Sequence, residues 1–187
     1  MRRRIALWVS LVALLIALSF VGELFHGVIV STVWHWRHAN SVAIGGFEIP
    51  VPGQWFVVNV DDIGQLARAH FPSLHGTPFE SRVTVSVLTK PLTDLQFWEG
   101  QEQALYTKEG ATILGRREIP LGTEYRVVCV EGDLVRGALK VWTPHLVSAN
   151  CQSNDRLNLL FTGSEEDLLE FYRIVEKVRI IHSAGPR

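Results

Sequence analysis

Leu157-Asn-Leu-Leu-Phe-Thr-Gly-Ser-Glu-Glu-Asp-Leu-Leu-Glu-Phe-Tyr-Arg-Ile-Val-Glu-Lys-Val178 sets a strand directly before a capped helix. Leu157–Phe161 is the strand candidate. Ser164-Glu-Glu-Asp167 is a capping box, whose side chains satisfy backbone N–H groups that the first helical turn leaves free. In the helix it opens, Leu168, Phe171, Val175 and Val178 form a buried stripe at helical spacing, which Tyr172 widens. The acidic run Glu165, Glu166, Asp167 is adequately explained by the positive end of the helix dipole.

Working outward from this pair, Arg82–Thr89 alternates: Val83, Val85 and Val87 face one way, Thr84 and Ser86 the other. Thr93 then opens a central helix, with Gln96 at the capping-box position and Gly110 as its stop near Glu109. Ala111–Ile119 and Glu124–Glu131 read as strands joined by a turn at Pro120-Leu-Gly122. Leu139–Trp142 and Leu146–Cys151 are further strand candidates. Nearer the N-terminus, Val42–Pro50 reads as one short strand and Trp55–Val60 as another. Residues 61–80 are ambiguous: Asp61 caps a short helix through His70, followed by a loop with Pro72, Gly76 and Pro78. Short connections favour antiparallel pairing. The fold class expected is α+β, an antiparallel sheet packed by a central and a C-terminal helix.

The first 38 residues are of another kind. Arg2, Arg3 and Arg4 precede an uncharged run, Ile5–Gly22, and apolar character continues to Val33 broken only by Glu23 and His26. A spanning helix needs about 20 apolar residues. The basic end stays in the cytoplasm and the rest crosses. No small-x-small cleavage site follows Phe20, so the segment reads as an uncleaved, single-pass signal-anchor. From Ile5 to Trp36 the helix would reach about 48 Å, so it either tilts or its last turns stand out of the membrane. Trp34 and Trp36, with His35, Arg37 and His38, resemble an interfacial belt. Two features suggest contact with another membrane helix. Ala6, Ser10, Ala13 and Ala17 make a small-residue stripe. Glu23 is a carboxylate within an apolar run.

These observations divide the chain into an anchor with an interfacial segment, 1–38, and an extracytoplasmic domain, 39–187. They place it in a bacterial inner membrane, with the N-terminus cytoplasmic and the domain periplasmic or extracellular. Apart from Arg2, Arg3, Arg4, Arg37 and Glu23, the charges are 14 Lys and Arg against 18 Asp and Glu. Such a mildly acidic domain lacks the basic stripe that nucleic acid or a polybasic lipid surface requires. Cys129 and Cys151 are the two cysteines, and an outer location permits a bridge. If a strand lies between theirs, they stand about 10 Å apart, too far for a bond. If residues 132–140 form a loop, their strands are neighbours. Gly132, Asp133 and Gly137 favour the loop, and a Cys129–Cys151 disulfide is expected.

No constellation names a reaction. His35 and His38, or His70 and His75 near Asp61 and Asp62, have the residue types of a metal site, yet an interfacial turn and a solvated loop account for them. There is no Cys-x-x-Cys-His, no Gly-rich phosphate loop, no Gly-x-Ser-x-Gly elbow and no His-Glu-x-x-His. Catalytic, cofactor-binding and metal residues are therefore expected to be none.

Gly46-Phe-Glu-Ile-Pro-Val-Pro-Gly-Gln-Trp55 resembles the opening of PsbP-like domains, where a short strand runs into a Pro-Gly-x-Trp turn. The central helix, the strand Leu157–Gly163 and the closing helix are similar to that fold, so the resemblance spans residues 42–182. It implies a non-enzymatic accessory subunit docked on the outer face of a larger membrane complex, photosynthetic or otherwise electron-transferring. Its partners would be that integral membrane complex and membrane lipid. The chain departs from bacterial relatives in lacking a lipobox cysteine near its N-terminus. The alternative is a free-standing envelope domain that binds a small molecule or lipid.

Overall fold

The computed structural model describes residues 2–59, 63–69, 81–108, 110–121, 125–134 and 146–181, without the α1 side chains at 2–7, 9, 23 and 24. The elements run α1 (Arg2–Arg37), β1 (Ser41–Ile44), β2 (Phe47–Pro50), β3 (Trp55–Asn59), β4 (Ile63–Arg68) and β5 (Arg82–Val87). They continue α2 (Leu95–Lys108), β6 (Thr112–Leu121), β7 (Tyr125–Asp133), β8 (Leu146–Ser153), β9 (Leu157–Ser164), α3 (Glu165–Glu176) and β10 (Arg179–Ile180).

Seven strands form one antiparallel sheet, ordered β3-β4-β5-β9-β8-β7-β6. Side chains alternate across it. Val83, Val85, Cys129, Cys151, Leu159 and Phe161 face the main core. Phe161 stacks there on Phe171 of α3, ring centres 5.1 Å apart. Ser148 and Gly132 face the opposite way, and there α2 packs: the Tyr106 hydroxyl lies 2.9 Å from Ser148 Oγ. A Cβ on Gly132 would meet the Tyr106 ring at 3.3 Å. The α+β class stands, with one helix on each face of the sheet. Each fully buried Phe or Leu of this core contributes roughly 2–3 kcal/mol by leaving water.

Three sequence expectations need correction. Val42–Pro50 is a hairpin rather than one strand. β1 and β2 turn on Gly45 and Gly46, both at positive φ (56° and 91°), the conformation a two-residue hairpin loop demands. With β10 they make a separate three-stranded sheet, an addition to the single sheet expected. The helix expected from Asp61 to His70 is replaced over Ile63–Arg68 by β4, a strand paired on both sides. Gly64 is the physical reason. A Cβ there would come within 2.2 Å of Ile44 Cδ1, so the glycine admits the small sheet against the large one. Asp61, His70, Pro72, Gly76 and Pro78 lie outside the described residues, as does the strand expected at Leu139–Trp142. The central helix is capped by Asp94, whose Oδ1 accepts from Phe97 N at 3.0 Å, rather than by Thr93. Gly110 (φ 75°) follows its last turn as expected.

Among the described residues no single helix is long and apolar enough to cross a membrane. Ser10–Gly22 and Phe25–Arg37 satisfy length and composition together, but they are bent 63° from each other. The bend follows Gly22, the weakest helix former of that stretch.

β6 is an open edge of the large sheet. It carries a register shift between Ile113 and Gly115, the charged triplet Arg116-Arg117-Glu118 and Pro120.

Candidate functional site

The Val51–Trp55 turn, between β2 and β3, is where the N-terminal helix meets the domain. Ser31 is buried, and its Oγ donates to Gly53 O at 2.9 Å. One turn later His35 donates from Nε2 to Trp55 O (2.9 Å) and Pro52 O (3.1 Å), and its Nδ1 lies 3.0 Å from Asn40 Oδ1. Trp34 packs against the core and stacks on His38, ring centres 4.9 Å apart. Only three residues separate α1 from β1, and Val51 N donates back to Asn40 O at 2.8 Å. Three carbonyls of one turn are thus held by two side chains of α1.

The same turn is tied from its other side. Gln54 Oε1 accepts from Arg68 Nε (3.2 Å) and Nη2 (2.7 Å). Arg68 pairs with the fully buried Asp167 of α3, and its Nε lies 3.3 Å from Glu170 Oε2. Ser164 caps α3 as expected, accepting from Asp167 N at 3.3 Å. The reciprocal half of the box differs. Asp167 accepts from Ser81 Oγ, and Ser81 Oγ accepts from Ser164 N at 3.2 Å. A serine of another segment stands inside the box, which frees the carboxylate to hold Arg68. Gly163 makes the room, since a Cβ there would overlap Ser81 Oγ at 2.1 Å.

Between α1, this turn and α3 lies an open cleft of about 680 Å³. Thr32 and His35 form one wall, Arg173 and Lys177 the other, and Val51 and Ile174 the floor. Further along α3, the Tyr172 hydroxyl donates to Glu131 Oε1, and the Arg117 guanidinium sits 4.1 Å from the Tyr172 ring centre. Burial, then the Glu131 carboxylate, pushes the phenol well above its ordinary value, so it stays neutral and braces α3 on β7.

The structure treats the sequence candidates unequally. Cys129 and Cys151 are directly opposed on β7 and β8, with their sulfurs at bonding distance. β7 pairs with β8 directly, so the two cysteine strands are neighbours, and Gly132 and Asp133, expected in a loop, belong to β7. His35 and His38 do not converge: the first binds backbone carbonyls, and the second donates from Nδ1 to Trp34 O (2.9 Å). Among the described residues no three His, Cys, Asp or Glu gather as metal ligands. His70, His75, Asp61 and Asp62 fall outside them. Ser10, Ala13 and Ala17 are exposed on α1, and the side chains of Ala6 and Glu23 are outside the description. Ser31, Arg68, Arg173 and Lys177 are site residues that sequence reasoning passed over, and Asp167 was read only as part of the α3 cap and its dipole. One signal was available: Ser31 is a small polar residue set between Val30 and Thr32 in an apolar helix.

Fold and site together define an antiparallel α+β domain whose N-terminal helix is locked to the turn preceding its large sheet. The solution structure of cyanobacterial PsbP (CyanoP) from Synechocystis sp. PCC 6803 is similar, with a TM-score of 0.44 at 14% identity over 72% of this chain and 86% of that one. No protein-family model and no curated protein matches the sequence.

Proposed function

We propose that this chain is a membrane-anchored, non-catalytic accessory subunit, whose domain docks on and stabilises a larger membrane complex from the outer face. The supporting observation is the lock between α1 and the Val51–Trp55 turn. Ser31 and His35 fasten the Phe25–Arg37 half of the helix to backbone carbonyls, so the spanning half leaves directly from the domain rather than from a linker. A fixed height and orientation suit a subunit that covers a neighbour. Ile5–Gly22, bounded by Arg4 and Glu23, rises about 27 Å as a helix, close to the hydrocarbon thickness. The remaining turns then belong to the domain, and Glu23 sits at the outer surface. Ser10, Ala13 and Ala17, exposed on the spanning part, supply the face for a partner helix. Purification of the tagged chain from its native membrane in mild detergent tests this. A stoichiometric membrane partner is expected, and its recovery should fall in the Ser31→Leu/His35→Ala chain. A native chain that elutes alone from intact membranes would overturn the reading.

The cleft supports a second reading, a free-standing envelope domain that binds a lipid or small molecule. Its size is that of ordinary ligand sites.

A further inference from the structure

The cleft beside α1 has an excess of cations that the fold itself does not use. Arg173, in the last turn of α3, and Lys177, its C-cap, lie four residues apart and line it. Neither side chain makes an ion pair or hydrogen bond among the described residues, whereas the acidic wall residue, Glu170, lies 3.3 Å from Arg68 Nε. The adjoining groove, about 640 Å³, is balanced by contrast: Glu48 and Glu176 face Lys177 and Arg179. Opposite the two cations are Thr32, whose hydroxyl donates to Val28 O at 2.7 Å, His35, whose ring nitrogens hold the turn, and Asn40, and the floor is apolar. Two cations over an apolar floor are the complement of a phosphodiester attached to a hydrocarbon backbone.

Its height fits the same occupant. Phe25–Arg37 leaves the apolar segment at 63°. At 1.5 Å per residue, His35 is then about 7 Å above the bend if the first segment stands upright. The head-group layer beyond a roughly 30 Å hydrocarbon core is about 5–8 Å thick. We propose that this cleft holds the phosphate head group of an outer-leaflet phospholipid, with Arg173 and Lys177 on the phosphate oxygens and Val51 and Ile174 under the glycerol carbons. The proposal rests on the membrane-anchored reading above.

Native mass spectrometry of the full chain in non-ionic detergent, titrated separately with phosphatidylglycerol, phosphatidylcholine and inorganic phosphate, tests it. One retained phospholipid per chain is expected. Arg173→Gln/Lys177→Gln should lower occupancy roughly tenfold, as for the loss of two charge-assisted contacts, while Arg173→Lys/Lys177→Arg keeps it. The thermal midpoint of both variants should match the native chain, since neither side chain is paired among the described residues. Undiminished occupancy in the glutamine variant would overturn the cleft as the site. Saturation by inorganic phosphate without lipid retention would assign it to a soluble anion and overturn the lipid. Alkaline carbonate extraction of native membranes separates the two levels. A chain that stays in the pellet but ignores the glutamine substitutions sinks the cleft alone, and a chain that is released sinks the anchored reading with it.

Discussion

Asp167 is the most consequential charged residue of the domain. It is fully buried, yet it is a carboxylate in the first turn of α3. Its oxygens are taken by Arg68 and by Ser81. Truncation to Ala removes a buried ion pair, leaves the Ser81 hydroxyl without its acceptor and opens a small void. Removing one partner of a buried pair costs about 3–5 kcal/mol. Arg68 is 21% exposed and keeps Gln54 and Glu170, so the lower end applies, about 3 kcal/mol. For a domain of this size that lowers the thermal midpoint by about 10 °C. Arg68→Met should be the worse single change, because it leaves the buried carboxylate with Ser81 alone. The double change Arg68→Met/Asp167→Leu should recover much of the loss, since an apolar pair of similar volume can replace a buried ion pair. Near-UV circular dichroism melts of the full chain in detergent measure all three. Single losses below about 1 kcal/mol, or losses that add in the double variant within about 0.5 kcal/mol, would refute the coupling.

The remaining predictions are narrower. Removing the Cys129–Cys151 bridge, which closes 22 residues, should cost roughly 3 kcal/mol in the chain-entropy model; quantitative labelling of the denatured, unreduced native chain should find no free thiol. Because the folded Tyr172 phenol titrates above its unfolded value of about 10, its contribution is complete below that pH and is lost as pH rises further, by up to about 1.4 kcal/mol per unit. Tyr172→Phe should start less stable at pH 8 and lose this alkaline slope, as read from melts between pH 8 and 11. Replacing Ile5–Gly22 with an unrelated spanning helix, or Ala6, Ser10, Ala13 and Ala17 with Leu, should weaken partner recovery while the domain melt is unchanged; full recovery with the chimera would reduce that segment to a tether. A periplasm-active reporter fused after Arg187 should function and a cytoplasm-active one should not; the opposite pattern would reverse the orientation.

What could be read from the sequence divides along local and non-local physics. β5, β9 and α3 were legible because their signals, alternation and a cap followed by a 3-4 stripe, lie within a few residues of one another. The Gly45-Gly46 hairpin was legible too and was missed: both glycines carry the positive φ that marks the turn. β4 was hidden, since Ile63–Arg68 lacks clean alternation and its glycine serves a contact with Ile44. The site was less accessible still. Arg68, Ser81 and Asp167 meet across long sequence separations, and nothing near Arg68 announces a buried partner. Ser31 and His35 bond to backbone carbonyls, which leave no imprint on side-chain identity at Gly53 or Trp55. The two cysteine pairings were distinguishable only by whether residues 132–140 inserted a strand, and the register Cys129↔Cys151 decided it.

Among the described residues β6 forms an edge of the large sheet, and that edge matters if the chain is held in a membrane as proposed above. Copies held upright in one plane meet at high local concentration with their sheets in a common orientation, the condition under which free strand edges join end to end. β6 is ten residues long and pairs with β7 on one side, so its outward-facing N–H and C=O groups would be a long template. The displaced register at Ile113–Gly115 bends that template, Pro120 lacks an N–H to offer, and Arg116, Arg117 and Glu118 place like charges against like in any parallel stack of identical edges. In the anchored arrangement proposed above, these three features oppose edge-to-edge pairing of neighbouring copies.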